Sequence, residues 1–383
     1  MRVLHVIPSV AEQSGGPATA IVPMCRALMQ QGIEVLLLST TGGLPKTCDA
    51  VDYKGVPAIF FPPQWGASFK YSRPLASWLT SNIGNFDLAH VHAVFNHSSI
   101  TTARACREAG VPYIVRPLGT LDPWSMTQKS LRKRLFWQVT GKGMLGHAAA
   151  VHYTSEVEKL STERHLGLNH GKVIALGIDA HKSNGQVKTE PYVLVLSRLH
   201  PKKGLDVLID AFLTLAQEER FASWRLVIAG DGPADYVSKL KAKVAASQRS
   251  DRIVFTGWLD EEKKHEVLGG ASLLALPSHQ ENFGLCVMEA LAHSVPVLVS
   301  PNVNLAAEIV SANAGWIAAI DKDALAASLR EALSNEDELL KRGRAGKQLS
   351  QKYSWENAAS GLIDLYEEVL PQRRNGAAEK RKS

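Results

Sequence analysis

The sequence predicts an α/β protein made of two doubly wound, parallel-sheet domains facing a cleft. Three observations carry that prediction. Short apolar runs alternate with helical periodicity along nearly the whole chain, the pattern of strands joined by crossover helices. The alternation breaks once, in a polar stretch that ends at Pro191, and then restarts. Finally, 383 residues exceed one typical domain but suit two of roughly 180, each able to bury its own core.

In chain order, residues 3–7 form an apolar run too short for a secretory leader and read as a first strand. Ser14-Gly15-Gly16-Pro17 is a tight loop that opens a helix over 18–30, stopped by Gly32. Strands are expected over 34–39, 87–92 and 113–116, with a helix over 100–109 halted by Gly110. Strands over 148–153 and 173–176 complete a first domain, residues 1–183. Residues 184–191 are the linker. A second domain, 192–354, restarts with strand 192–197 and helix 204–218. Strand 225–229, helix 234–246, strand 253–255, helix 261–268 and strand 272–276 follow. A loop then leads into a helix near Gly284, and strand 296–299 and helix 324–333 come after it. Residues 355–370 form a long amphipathic helix, and the basic tail 371–383 is expected to be disordered. Both domains are Rossmann-like, yet neither places G-x-G-x-x-G after a strand, which counts against a nicotinamide cofactor.

Composition narrows the partners. Hydrophobic residues at 45% and charged residues at 21% are those of a soluble globular chain. The net charge of +6 is uneven: residues 1–185 hold 18 Lys and Arg against 11 Asp and Glu, the remainder 25 against 26. A basic first half suits nucleic acid, anionic lipid or a phosphorylated substrate. Without helix-turn-helix or basic-aromatic interleaving, nucleic acid is not expected. Lys129, Arg132, Lys133 and Arg134 precede Leu135-Phe136-Trp137, a combination suited to an anionic membrane surface; a solvated helix face is the alternative. The four cysteines are scattered with no C-x-x-C, so neither a zinc site nor a disulfide framework is expected, and a reducing cytoplasm fits. No apolar run approaches about 18 residues, so no membrane span is expected.

Four segments carry chemistry. In the stretch from Pro277 to Glu289, an apolar strand halts at Pro277, Glu281 falls in the loop at its carboxyl end, and Glu289 lies eight positions later in the helix. Ligands of open parallel sheets bind at strand carboxyl ends, beside helix N-termini that favour phosphate. Taken alone, the two carboxylates read as a cap and a surface residue. Ser197-Arg198-Leu199-His200-Pro201-Lys202-Lys203-Gly204 changes the balance, because Arg198 and Lys203 at one strand end suit a diphosphate. Gly230-Asp231-Gly232-Pro233 is a third strand-to-helix turn. In the fourth, Gly15 and Gly16 would let backbone N–H groups approach an anion. His90 and His92 share one face of their strand, and alternation does not choose between them. Asp321-Lys322-Asp323 has the D-x-D look of a metal site, but its place before helix 324–333 makes an N-cap the better reading.

In this order the segments resemble the retaining glycosyltransferases of family 4, glycosyl transferases group 1, which have the GT-B fold. His152-Tyr153-Thr154-Ser155-Glu156 resembles the family's His-x-Thr-Ser-Glu turn. Leu176-Gly177-Ile178-Asp179 resembles its Asn-Gly-Val-Asp, with Leu176 in place of Asn. The usual Glu-Gly-Phe-Gly stands here as Glu281-Asn282-Phe283-Gly284, and Asn282 is expected to supply the left-handed conformation of the missing glycine. The resemblance implies transfer of a sugar from a nucleotide-sugar donor to a saccharide or polyprenyl-linked acceptor in surface polysaccharide, exopolysaccharide or lipopolysaccharide biosynthesis, with anomeric configuration retained. It implies that Arg198 and Lys203 hold the donor diphosphate, that Glu281 and His92 lie by the donor sugar, and that Glu289 binds the ribose. Gly15, Gly16, Gly284 and Leu285 would meet the phosphates through their backbone. The turn from Arg116 through Asp122 to Trp124 would face the acceptor, and the last helix would cross back to the first domain. No cofactor and no metal are expected, and the enzyme would work in the cytoplasm, at the inner face of the plasma membrane if the basic cluster docks there. A sugar-nucleotide epimerase and a non-catalytic nucleotide-sugar-binding protein are the competing readings.

Overall fold

The computed structural model describes residues 1–11, 14–41, 49–66, 69–127, 133, 135–179 and 190–370. The chain divides into two compact units, Met1–Gly177 with the segment from Trp355 onward, and Ile178–Ser354. The expected linker 184–191 lies outside the described residues up to 189, and the tail 371–383 lies outside them entirely.

The first unit is an eight-stranded sheet. Its strands are β1 (Arg2–Val6), β2 (Glu34–Thr40), β3 (Ala50–Tyr53), β4 (Val56–Phe61), β5 (Leu88–His92), β6 (Tyr113–Arg116), β7 (Ala150–Tyr153) and β8 (Gly171–Val173), in the order β3-β4-β2-β1-β5-β6-β7-β8. Every pairing is parallel except β3 with β4. That hairpin is absent from the alternation read above, because Pro57 interrupts the run it sits in. Its two-residue turn, Lys54-Gly55, has φ of 53° and 79°, the double left-handed geometry a tight hairpin needs. The last strand falls at Gly171–Val173, earlier than the expected 173–176.

The central strands of this sheet are buried on both faces, as a sheet covered by crossover helices requires. The helix Trp355–Val369 returns to this unit and packs on the helix Gly16–Gln30. Ser360 Oγ donates to Gln31 Oε1 at 3.2 Å, and Lys172 pairs with Glu368 at 2.8 Å. The crossing back expected for the last helix is what the structure has.

The second unit is a six-stranded, wholly parallel sheet. Its strands are β9 (Tyr192–Leu196), β10 (Arg225–Ala229), β11 (Ile253–Gly257), β12 (Leu273–Leu276), β13 (Val297–Val299) and β14 (Gly315–Ile317), in the order β11-β10-β9-β12-β13-β14. The order reverses direction between β9 and β12, which is where an open α/β sheet binds its ligand. Each unit has its own apolar core.

Candidate active site

In the second unit, three glycines bring three loops together. An added Cβ at Gly230 would overlap the Ser197 carbonyl, and one at Gly232 would overlap the Leu199 carbonyl. Leu199 N–H also donates to the Asp231 carbonyl at 2.8 Å. The Gly230-Asp231-Gly232 turn therefore clasps the backbone on both sides of Arg198, and any side chain there would push it away. Gly204, at φ 65°, sits against the Pro277 carbonyl, and His279 N–H donates to the Lys202 carbonyl at 2.8 Å. These close approaches at β9 and β12 set Arg198 and Lys203 beside the loop that carries Glu281.

Lys203 donates to the Glu281 carboxylate, and both side chains are largely buried, at 14% and 18% exposure. The Glu281 backbone is pinned as well. Its N–H donates to Asn302 O at 3.1 Å, and its carbonyl accepts from Asn304 N–H at 3.0 Å. Burial would raise the Glu281 pKa, but Lys203, with Lys202 and Arg198 behind it, holds it below the ordinary value. It is an anion fixed among cations, and it caps nothing. The following helix, Leu285–Ala292, starts from Gly284 in the left-handed conformation (φ 71°, ψ 60°) with no side-chain cap. Its first N–H groups, at Leu285 and Cys286, have no intrahelical partner, as at any helix start. The left-handed position in this loop is Gly284, and Asn282 has no positive φ. The expectation that Asn282 substitutes for a left-handed glycine is therefore corrected: the turn never asked for one there.

Glu289 lies on the same helix and accepts from Lys264 Nζ at 3.0 Å; Lys264 also reaches Glu261 at 3.0 Å. Burial disfavours the Lys264 charge, yet Glu289 and Glu261 hold its pKa above the usual value. Three further polar atoms here are given no role by the sequence. Ser278 Oγ and both amide atoms of Gln280 are buried with no hydrogen-bond partner among the described residues. Both residues sit in a run of plain loop composition, and only burial singles them out.

In the first unit, Gly15 (φ 88°) is the N-cap of the helix Gly16–Gln30, again without a side-chain cap, and Pro17 lies in its first turn. This is the open helix start expected at Gly15 and Gly16. His92 ends β5 within a buried cluster: His5, His90, His92 and His152 are at most 1% exposed, and Tyr366 is wholly buried. His5 Nδ1 lies 3.1 Å from His92 Nε2, and His90 Nδ1 lies 2.8 Å from Tyr366 Oη. His152 Nδ1 is 3.2 Å from His90 Nε2, and its Nε2 is 2.9 Å from the Ile174 carbonyl. Tyr366 Oη is 3.4 Å from His5 Nε2. His92 Nδ1 has no hydrogen-bond partner among the described residues, nor has Nε of Arg116, its register neighbour on β6. Both His90 nitrogens are engaged, so His92 holds the open one. Of this cluster the sequence reading weighed only His90 and His92 as a site. His5 and Tyr366 escaped it, and His152 entered only through its turn motif.

Asp321 N-caps the helix Lys322–Leu333, accepting from Asp323 N–H at 2.9 Å and Ala324 N–H at 3.1 Å. The D-x-D pattern is spent on that cap. Lys129, Arg132 and Arg134 lie outside the described residues. Lys133 donates to the Ser125 carbonyl at 2.5 Å and lies 5.3 Å from the Phe95 ring centre. No helix among the described residues is long and apolar enough to cross a membrane.

Residues 178–349 match the family model "Glycosyl transferases group 1", and residues 15–177 match "Glycosyl transferase 4-like domain". The chain is 25% identical to a GDP-mannose:cellobiosyl-diphosphopolyprenol alpha-mannosyltransferase of Komagataeibacter xylinus, over 97% of this chain and 94% of that one. It is 26% identical to the protein of the same name from Xanthomonas oryzae pv. oryzae, over 97% of each. Among solved structures, the sucrose-phosphate synthase of Thermosynechococcus elongatus superposes with a TM-score of 0.79 at 20% identity, covering 96% of this chain and 98% of that one.

Proposed function

This chain belongs to the family 4, group 1 glycosyltransferases of the GT-B fold, and from that premise we propose that it moves a hexose from a nucleoside diphosphate sugar to a saccharide carried on a polyprenyl diphosphate, in the making of a surface or exported polysaccharide. One observation carries the reading: Arg198, Lys203 and Glu281 converge at the carboxyl ends of β9 and β12, with an uncapped helix start beside them. Cations there offset charge on a departing nucleoside diphosphate, stabilisation that grows as the glycosidic bond breaks. Lys203, engaged by Glu281 without substrate, would turn to the diphosphate and leave Glu281 to the sugar. Glu289, steadied by Lys264, is assigned to the ribose, and Gly15, Gly16, Gly284 and Leu285 to the phosphates. His92 is assigned to a sugar hydroxyl. The departing phosphate oxygen takes the acceptor's proton on the face it leaves, which retains configuration, and no metal is required. Both family models, over residues 15–177 and 178–349, are of glycosyltransferases, so an epimerase is not favoured.

The near-full-length relatives named for GDP-mannose and a diphosphopolyprenol acceptor make these the substrates to test first. Among GDP, UDP and ADP, GDP is expected to raise the melting temperature most, since a ligand at 100 times its Kd adds about 2.7 kcal/mol. Mannosyl transfer from GDP-mannose to a polyprenyl diphosphate saccharide is expected to give an α product and to survive EDTA. If no nucleotide stabilises the protein, or chelation abolishes turnover, the reading fails.

We further propose that the first unit docks on anionic membrane. In the sequence Lys129, Arg132 and Arg134 come just before Leu135 and Val139, which are 67% and 72% exposed four positions apart on one helix face. Co-sedimentation with phosphatidylglycerol vesicles is expected at low salt, weakening as salt screens it. Binding that persists when the three cations are changed to Gln would overturn this.

A further inference from the structure

We propose that His152, His90, Tyr366, His5 and His92 form one directed hydrogen-bond chain whose working end is the bare Nδ1 of His92, offered as acceptor to a hydroxyl of the transferred sugar. Tyr366 and the other three histidines are positioning residues. The assignment of that hydroxyl rests on the function proposed above; the chain itself does not.

The direction follows from its far end. The Ile174 carbonyl can only accept, so His152 Nε2 carries the proton that meets it at 2.9 Å. A neutral imidazole has one N–H, so His152 Nδ1 is bare and accepts from His90 Nε2–H at 3.2 Å. His90 Nδ1 is then bare in turn and takes the Tyr366 hydroxyl proton at 2.8 Å. Having donated, the Tyr366 oxygen can only accept from its other neighbour, His5 Nε2–H, at 3.4 Å. His5 Nδ1 accepts from His92 Nε2–H at 3.1 Å. One proton per ring is thereby used up, and His92 Nδ1 ends the chain as a lone pair with no donor among the described residues.

Two observations support this. Burial, with the Arg116 charge and the neighbouring rings, holds all four histidines well below their ordinary pKa, His5 and His152 down to about 3, so each ring is neutral at pH 7. Beside the bare acceptor lies Arg116, buried, with its Nε lacking a partner among the described residues. Both orphan atoms are buried away from solvent; a sugar hydroxyl that reached them would accept from the guanidinium and donate to the imidazole nitrogen, satisfying both. Because the chain runs through Tyr366 on the last helix, that helix sets the tautomer of a ring at the end of β5.

His5, His90 and His92 also present ring nitrogens within 4.8 Å of one another, a spacing that a metal ion could accept. The two arrangements are exclusive, because in the chain the bare Nδ1 of His5 and of His90 already accept from His92 and Tyr366, so neither is left for a metal.

The test is the ring-nitrogen NMR spectrum of full-length protein labelled with [15N]histidine, together with kinetics. All four rings are expected as Nε2–H tautomers with Nδ1 bare. Tyr366→Phe, which removes only the hydroxyl, is expected to leave GDP stabilisation intact, to split His92 between tautomers, and to lower kcat about tenfold with KM little changed, the effect of one lost hydrogen bond. His92→Asn, which puts an amide oxygen near the Nδ1 position, is expected to retain more kcat than His92→Ala. A protonated Nδ1 in any of the four rings, one tightly held zinc ion per chain, or an unchanged kcat in Tyr366→Phe would overturn the chain. The sugar assignment fails separately, if the tautomers are as drawn but adding GDP-mannose leaves the His92 Nδ1 signal where it was.

Discussion

Replacing Lys203 by Met is expected to lower kcat about a hundredfold to a thousandfold, the usual cost of removing one preorganised group that stabilises developing charge. Glu281→Gln is expected to lose turnover on the same scale while leaving nucleoside diphosphate binding nearly intact; Lys203→Met weakens that binding too. Stability separates these effects from damage to the fold. Each single change leaves a largely buried charge without its main partner. That costs several kcal/mol in a dry interior, and about 1–3 kcal/mol here, where Lys202 and Arg198 stand near Glu281 and some water reaches both side chains. The double variant Lys203→Met, Glu281→Gln removes both charges, so it is expected to regain much of that stability and none of the turnover. Glu281 titrates below its ordinary value in the folded state, so the pair's contribution is fully present above about pH 4.5 and is lost as pH falls through the folded pKa. Melting temperatures and steady-state rates for the three variants decide the matter. A Glu281→Gln enzyme that turns over normally would remove this carboxylate from the chemistry.

The Arg198–Lys203–Glu281 constellation was legible because each member falls in the loop that follows an apolar run, and in a parallel sheet the ends of neighbouring strands are neighbours in space. Alternation alone placed them. The same reasoning misses β3 and β4, where Pro57 hides a strand, and β14, whose three residues show no period. It also misplaces the left-handed residue of the Glu281 loop. Sequence spacing says only that a glycine is replaced at 282, whereas the structure puts the turn's positive φ at Gly284. The histidine cluster was not legible as a unit. His5 and His92 are 87 positions apart, and His90 and Tyr366 are 276 apart, so no local spacing links them. What joins them is that parallel register sets His5 beside His90, and that the last helix returns to this unit. A reader of the sequence could have noted histidines in three different strands expected to be buried, where histidine is uncommon.

Those same histidines should make the first unit sensitive to acid. Each is buried and neutral when folded, with a pKa held far below the ordinary value of 6.5, and each regains that value on unfolding. Below pH 6.5 the unfolded chain therefore binds more protons than the folded one, and stability falls with pH until the folded groups themselves titrate, at about 3 for His5 and His152. One such ring costs about 1.4 kcal/mol per pH unit, and four in one core cost about 5 kcal/mol per pH unit. That compares with a whole-domain stability of roughly 5–15 kcal/mol, so about one to three pH units exhaust it. The second unit also holds His200 and His265 below the ordinary value, but His200 is exposed and His265 half-buried, and its Glu281 pair yields only below about pH 4.5. Hydrogen exchange read by mass spectrometry between pH 7.5 and 4.5 is expected to show peptides from β1, β5 and β7 losing protection by about pH 5 while those from β9, β10 and β12 keep theirs. His152→Gln, with one titrating ring fewer, is expected to flatten the loss by about a quarter. Equal protection in both units at pH 4.5, or an unchanged slope in that variant, would mean that the rings are not buried as neutral bases. The chain ending at His92 would then fall with that premise, since it allows each ring a single proton.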